Sequence, residues 1–223
     1  MTPPEMGKVP SDLREALREL PLFPLHHAVL FPGALVALHV FEPRYRELVR
    51  NVLASHRALA IAHVIDPAAD MGGTPLIAEV AGVGTIVEHM ELPGGRFNIV
   101  LRGRARVRLH ELPFEPPYRR AEATVISAPN PTVPSVEMAA LTAATTAFAK
   151  LLRERDPDFK LRIPKDAPPS LVIDACAHHL VINPAERQSI LETIDVRQRA
   201  QRVTEVLTVQ RAALARPGGG SLN

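Results

Sequence analysis

Apolar and polar positions alternate in two different rhythms along this chain. From Glu19 to Ser127 the signals are mostly those of strands. ELPLFPL at 19–25 predicts an extended edge strand, because Pro21 and Pro24 cannot serve as central ladder donors. Phe31-Pro32-Gly33 predicts a turn, and ALVALHVF at 34–41 a strand. Glu42-Pro43 opens a helix whose apolar face is Tyr45, Leu48, Val49 and Val52. LAIAHVI at 59–65 reads as a buried strand, followed by a Gly- and Ala-rich loop at 66–74. Leu76–Glu91 and Arg96–Glu111 read as two long strands joined by Leu92-Pro93-Gly94-Gly95, a hairpin signal. In the second, Leu101, Ala105, Val107 and Leu109 alternate with Arg102, Arg104, Arg106 and Arg108, so one face is inward and one charged. Gly103 interrupts the inward face and marks a bulge. Tyr118–Ser127 closes this β-rich half.

Beyond the Pro-rich linker at 128–134 the rhythm becomes helical. Ser135 is the expected N-cap of a helix with the stripe Met138, Leu141, Thr145, Phe148 and Leu152. A loop with Pro164, Pro168 and Pro169 leads to a second helix at 170–181. Asn183-Pro184-Ala185-Glu186 has the form of a capping box; Ile190, Leu191 and Ile194 face the core behind it. Asp195-Val196-Arg197-Gln198 starts a last helix lined by Val196, Ala200, Val203, Leu207 and Leu214. The predicted organisation is a flexible arm at 1–18 with a short helix near 11–19, a β-rich unit at 19–127, a linker at 128–134, a helical bundle at 135–215 and a disordered tail at 216–223. The fold class is α+β.

Composition narrows the classes. A chain of 223 residues with 46% hydrophobic residues and mixed charge builds a real core rather than a disordered coil. One cysteine excludes an internal disulfide and suits a reducing compartment. The N-terminal segment lacks the apolar stretch of a secretory signal, and no run is long enough to span a bilayer. The expected location is the cytoplasm. A net charge of +2 is modest for a nucleic-acid binder, and the lack of Trp, with two Tyr and seven Phe, leaves few stacking platforms.

Three stretches, in order and spacing, resemble the N-terminal substrate-binding domain family of Lon proteases. They are LPLFPLHHAVLFPG at 20–33, GVGTIVEHMELPGGRFNIVLRGRARVRL at 82–109 and ILETIDVRQRAQRVTEVL at 190–207. The first matches the family's Leu-Pro-Leu-x-Pro-Leu strand with its following Phe-Pro-Gly. The second is similar to its long hairpin, and the third to its closing Leu-x-x-x-Asp-Val-x-x-Arg segment. The sequence departs at His26-His27, where the family more often carries a charged or amide pair. The resemblance implies a PUA-like β pseudo-barrel followed by a small helical bundle, and a role in holding protein substrates. It also implies a free-standing member, since no Walker loop exists (Gly7-Lys8 is followed by Val9) and no Ser-Lys peptidase domain is present.

Catalytic and metal chemistry find little footing. Asp174 and His178 lie one helical turn apart, but a zinc site needs three or four convergent ligands. Neither HExxH nor C-x-x-C occurs. Cys176 sits among Val172, Ala175 and Ala177, the setting of a small buried hydrophobe. Gly82-Val83-Gly84 lacks a third glycine and lies in a strand. We therefore expect no enzyme activity, no cofactor and no metal.

Two surfaces remain. The arginines 102, 104, 106 and 108 could follow a phosphate backbone, as in the RNA binders among PUA-like folds. The plainer account is a solvated sheet face paired with Glu79, Glu88 and Glu122. Phe41, Tyr45, Met71, Met90 and Phe97 lie near predicted turns or strand ends. Flexible Met and aromatic side chains suit loose recognition of varied peptides, although Phe41 and Tyr45 are the strongest candidates for the core. The leading expectation is a non-catalytic module that binds exposed hydrophobic or unstructured protein segments. RNA binding through Arg102–Arg108 is the alternative, and no membrane partner is expected.

Overall fold

A computed structural model describes residues 13–65, 75–128, 132–163 and 166–215. The chain divides into two compact units, one ending at Ser127 and the other beginning at Ala128. Most of the N-terminal arm, the loop at 66–74, residues 129–131 of the linker and the tail at 216–223 lie outside the described residues.

The first unit carries β1 (Leu20–Leu25), β2 (Leu35–Val40), α1 (Pro43–Leu53), β3 (Ala58–His63), β4 (Val80–Leu92), β5 (Arg96–Glu111) and β6 (Arg120–Ile126). They form one mixed sheet in the order β2-β5-β4-β3-β1-β6, and an additional β5–β6 pairing closes β1, β3, β4, β5 and β6 into a ring. β1 runs parallel to β3, and the other pairings are antiparallel.

Strand β1 is not the edge strand its prolines suggest. It lies between β6 and β3, but its ladders are consecutive: Leu20 and Pro21 pair with β6, and Leu22–Leu25 pair with β3. Leu22, whose N–H also donates to the Arg119 carbonyl at 2.9 Å, is where the two ladders overlap. Pro21 and Pro24 each lie in a stretch paired with one strand, the condition under which a missing N–H is tolerated. The arm is also partly ordered: Leu13, Ala16 and Leu17, around a 3-10 turn at Ala16–Arg18, are buried in the ring's interior cluster rather than loose.

Two apolar cores meet back to back on β3, which is buried along its whole length. Ala58, Ala60 and Ala62 face the interior of the ring with Leu20, Leu22, Ala81, Val83, Val107, Ala121 and Ala123. Small side chains suit so narrow a barrel. Leu59 and Ile61, from the other phase of the strand, meet the amphipathic face of α1, which buries Tyr45, Leu48, Val49 and Val52 as its periodicity predicts. The Phe23 and Tyr45 rings lie 4.4 Å apart in this second core.

The segment between β1 and β2 crosses the sheet on a floor of glycines. A Cβ on Gly82 would stand 1.8 Å from the Leu30 carbonyl oxygen, and one on Gly103 would stand 2.0 Å from that of Phe31. Gly33 N–H donates to the Gly103 carbonyl at 2.9 Å, and Gly103 N–H donates to that of Ala34 at 2.8 Å. The expected irregularity is next to Gly103: Arg104 is the extra residue between the pairs Gly84–Gly103 and Val83–Ala105.

The second unit holds α2 (Ser135–Arg155), α3 (Pro169–Leu180), α4 (Pro184–Glu192) and α5 (Val196–Ala215). Leu141, Phe148, Ile173, Ala177, Leu180, Ile190, Leu191, Val196, Ala200, Val203 and Leu207 are buried. The α2 N-cap is Pro134, with Ser135 already helical, so the expected serine cap does not form. Asn183 does cap α4, accepting from the Ala185 and Glu186 N–H groups at 2.8 and 3.2 Å. Asp195 likewise accepts from the Gln198 N–H at 2.8 Å. A buried ion pair ties the unit together. Arg199 Nε lies 3.0 Å from Asp174 Oδ1, and its Nη1 donates to the Thr193 and Ile194 carbonyls.

Candidate functional site

The first half of β5 builds an open surface with β2 and β4. Directly paired residues share a sheet face, so three rows point the same way: His39–Asn98–Met90, Ala37–Val100–Glu88 and Leu35–Arg102–Thr85. The alternate rows carry Val36, Leu101, Ile86, Val40 and Phe97, which join the core formed with α1. The exposed rows form an open groove of ≈ 480 Å³, lined by Ala37, His39, Glu88, Met90, Asn98 and Val100 together with Leu38, His89 and Ile99.

Met90 and Phe41 are each 60% exposed, and Leu35 and Val87 are also exposed. Phe41 continues the phase of Leu35, Ala37 and His39 at the end of β2, which explains why it is not the core residue expected. Its ring stacks on that of His39 at 6.1 Å. His39 Nδ1–H in turn donates to Asn98 Oδ1 at 2.7 Å. Met90 thus lines the groove together with the His39–Asn98 pair, and Phe41 stands beside it at the end of β2, next to His39. The groove can take apolar side chains.

The other proposed contact residues lie elsewhere. Tyr45 and Phe97 are 6% and 3% exposed and belong to the α1 core; Tyr45 is thus the core residue expected rather than a contact, and Phe97 is corrected from the surface to the core. Phe97 sits opposite Val40 on the inner row rather than in the hairpin turn. Met71 lies outside the described residues.

The four arginines do not make one charged track. Arg102 alone is exposed. Arg104 sits at the bulge, with Nη1 3.5 Å from Thr85 Oγ1. Arg106 is buried, its guanidinium 5.9 Å from the Phe31 ring centre. Arg108 pairs with Glu79 at 3.1 Å, as the plainer account expects for that residue. Asp174, considered with His178 for a cation, faces Arg199. Cys176 is buried beside Thr145, and burial pushes its thiol pKa up, away from nucleophilic use.

Sequence reasoning also passed over a polar cleft of ≈ 390 Å³ lined by Glu15, Arg18, Glu19, Asn51, His56, Tyr118 and Arg120 among others. Arg120 pairs with Glu19 and Glu115, and Asn51 Nδ2–H donates to Tyr118 Oη at 2.9 Å. His56 Nδ1 accepts from the Ala58 N–H, and burial lowers its pKa against an opposing pull from Glu15. No local motif announces this cleft, because its residues come from three separate segments.

This is an α+β chain with a closed mixed sheet, an open apolar groove and a four-helix unit among the described residues. It belongs to the family of the ATP-dependent protease La (LON) substrate-binding domain, whose model matches residues 19–209. Lon protease of Roseiflexus castenholzii is 28% identical over 219 residues, covering 96% of this chain and 26% of the relative. Lon protease 1 of Thermus thermophilus is 27% identical over 201 residues, covering 87% and 25%. The chain thus spans about a quarter of the length of these relatives. The fold is shared with the crystal structure of a Lon N-terminal domain protein from Xanthomonas campestris (TM-score 0.62, 24% identity, 84% of this chain and 97% of that one). It is shared too with the N-terminal domain of a Mycobacterium avium complex Lon protease (TM-score 0.63, 18% identity, 85% and 98%). No described helix is long and apolar enough to cross a membrane.

Proposed function

We propose that this chain is a non-catalytic module that recognises polypeptide, taking exposed hydrophobic or unstructured segments of client proteins into the β2–β5–β4 groove. The observation that carries this is an open groove lined by the largely exposed Met90, with the equally exposed Phe41 at its edge beside His39. Family membership supports the substrate class, since the matching model is that of a substrate-binding domain. The sheltered Cys176, whose thiol pKa is pushed up by burial, supports the absence of catalysis, and its being free suits a cytoplasmic setting.

Reduced, carboxymethylated α-lactalbumin is a suitable client probe. Met90→Asp and Phe41→Asp should each weaken its binding roughly 5- to 30-fold, about 1–2 kcal/mol, for loss of one exposed apolar contact. Melting temperatures should stay near that of the parent, because both side chains are already in solvent. Binding untouched by both substitutions overturns the site. A steep loss of affinity with added salt would indicate phosphate-like contacts and return the argument to the arginines.

A further inference from the structure

We infer that the outer edge of β2 captures an extended segment of polypeptide by strand addition. This rests on the polypeptide-recognition reading above and names the mode of capture.

Among the described residues, β2 pairs with β5 and with no other strand. Neighbouring residues of a strand direct their N–H and C=O groups to opposite sides. Every second residue of Leu35–Val40 therefore aims a donor and an acceptor away from β5. The natural complement to such a row is another extended backbone.

Edge strands are ordinarily protected by charge, proline or a bulge. β2 reads LVALHV and carries none of these. Its six pairs with β5, from Leu35–Arg102 to Val40–Phe97, run without a register shift, whereas the β4–β5 ladder shifts twice. The exposed phase of the strand is Leu35, Ala37 and His39, and Phe41 prolongs it. An added strand would set alternate side chains beside that row, at the lip of the groove, while its backbone completed the sheet.

Area decides the occupant. Six residues span roughly 20 Å, so one added strand about 10 Å wide buries on the order of 400–600 Å² in total. A stable interface needs about 1,200 Å² or more. The edge is therefore too small to hold a second copy of this chain, and it fits a short apolar segment held weakly and released. Because β2 is uncharged, it selects for alternating apolar residues rather than for a sign of charge.

The test uses the unaltered protein and a fluorescent peptide of alternating Val and Thr. Two further peptides carry backbone N-methyl groups on every second residue, one in each phase. N-methylation keeps the side chains and removes the donors along one edge. The parent peptide should bind, and methylation in one phase should weaken it roughly tenfold or more, equivalent to losing one or two net hydrogen bonds. If both methylated peptides bind as the parent does, strand addition is wrong. If that happens while α-lactalbumin still binds and Met90→Asp still weakens it, polypeptide recognition stands and only the edge is lost. If neither peptide nor α-lactalbumin binds, the recognition reading fails and the inference with it. A dimer in sedimentation that the parent peptide cannot dissociate would assign the edge to a second copy and overturn the occupant.

Discussion

Replacing Gly82 by alanine puts a methyl group where the Leu30 backbone already stands. The ideal Cβ lies 1.8 Å from the Leu30 carbonyl oxygen, 2.8 Å from its carbon and 2.9 Å from its Cβ. Ordinary contact requires roughly 3.5 Å, so the crossing segment must lift by about 1.5 Å. Leu30 and Phe31 are wholly buried and would be drawn partly out of the core with it. Overpacking of this kind costs about 1–3 kcal/mol, and full exposure of one such side chain about 1.5–3 kcal/mol. Relief of the glycine's conformational entropy returns about 0.5–1 kcal/mol. The expected net loss is about 2–4 kcal/mol. The chain has no Trp, and both its tyrosines, Tyr45 and Tyr118, lie in the barrel unit. Tyrosine fluorescence in urea therefore follows that unit. With a slope of about 1–3 kcal/mol/M, the midpoint should fall by about 1–2 M. Gly94→Ala is the comparison: its Cβ meets nothing within 4 Å, but φ is +79°. That substitution should cost only the left-handed penalty of about 1–2 kcal/mol. A Gly82→Ala midpoint at or above the parent's, or greater damage from Gly94→Ala, would refute the packing argument.

Three further outcomes follow from the same geometry. Arg199→Met removes the cation facing buried Asp174 and the donor to two carbonyls; it should cost about 3–5 kcal/mol in helical circular dichroism. Arg197→Ala, which breaks a pair with Glu137 involving an exposed arginine, should cost under about 1 kcal/mol, and equal losses would contradict the assignment. Asn183→Ala should lower stability by about 1 kcal/mol and Asn183→Asp by less, since the carboxylate can still accept from the same N–H groups. His56 and His179 have pKa values lowered by burial, so the folded state resists their protonation. Their stabilising contribution is complete above the unfolded value of about 6.5 and declines as pH falls through it. The urea midpoint should therefore drop between about pH 7.5 and about pH 5.5, and drop less in His56→Asn.

Local signals carried much of the architecture. The α1 face, the Pro93-Gly94-Gly95 turn and the Asn183 and Asp195 caps depend on residues within a few positions of one another, and each formed as read. What escaped was set by distant partners. The glycine floor exists because Leu30 and Phe31 arrive over Gly82 and Gly103, some fifty and seventy positions away. Phe41 and Tyr45 both look like core by composition. Yet Phe41 keeps the exposed phase of β2, and Tyr45 falls on the buried stripe of α1. Phe97 and Asn98 are adjacent, but register with Val40 and His39 sends one inward and the other to the groove. The arginine row was drawn from strict alternation, and the extra residue at Arg104 breaks it. Of the groove lining, Met90 alone is legible as a contact residue in the sequence, with Phe41 beside it. Ala37, His39, Asn98 and Val100 are not, since only pairing across strands assembles them.

The free edge of β2 follows from how the ring closes. β5 is 16 residues long and pairs with β4 along most of its length. Its second half, Arg106–Glu111, takes β6, and β6 reaches β1 to complete the circle. Its first half, Phe97–Arg102, takes β2, which has no such onward partner among the described residues; the chain turns into α1 at Pro43 and that helix packs on the inner row. Gly103 stands between the two halves, and its paired hydrogen bonds with Gly33 and Ala34 fix where β2 begins. The groove and the open edge therefore share one origin in a strand too long for the barrel it helps to close. Gly103 thus sets where β2 begins and with it the line of the outer edge.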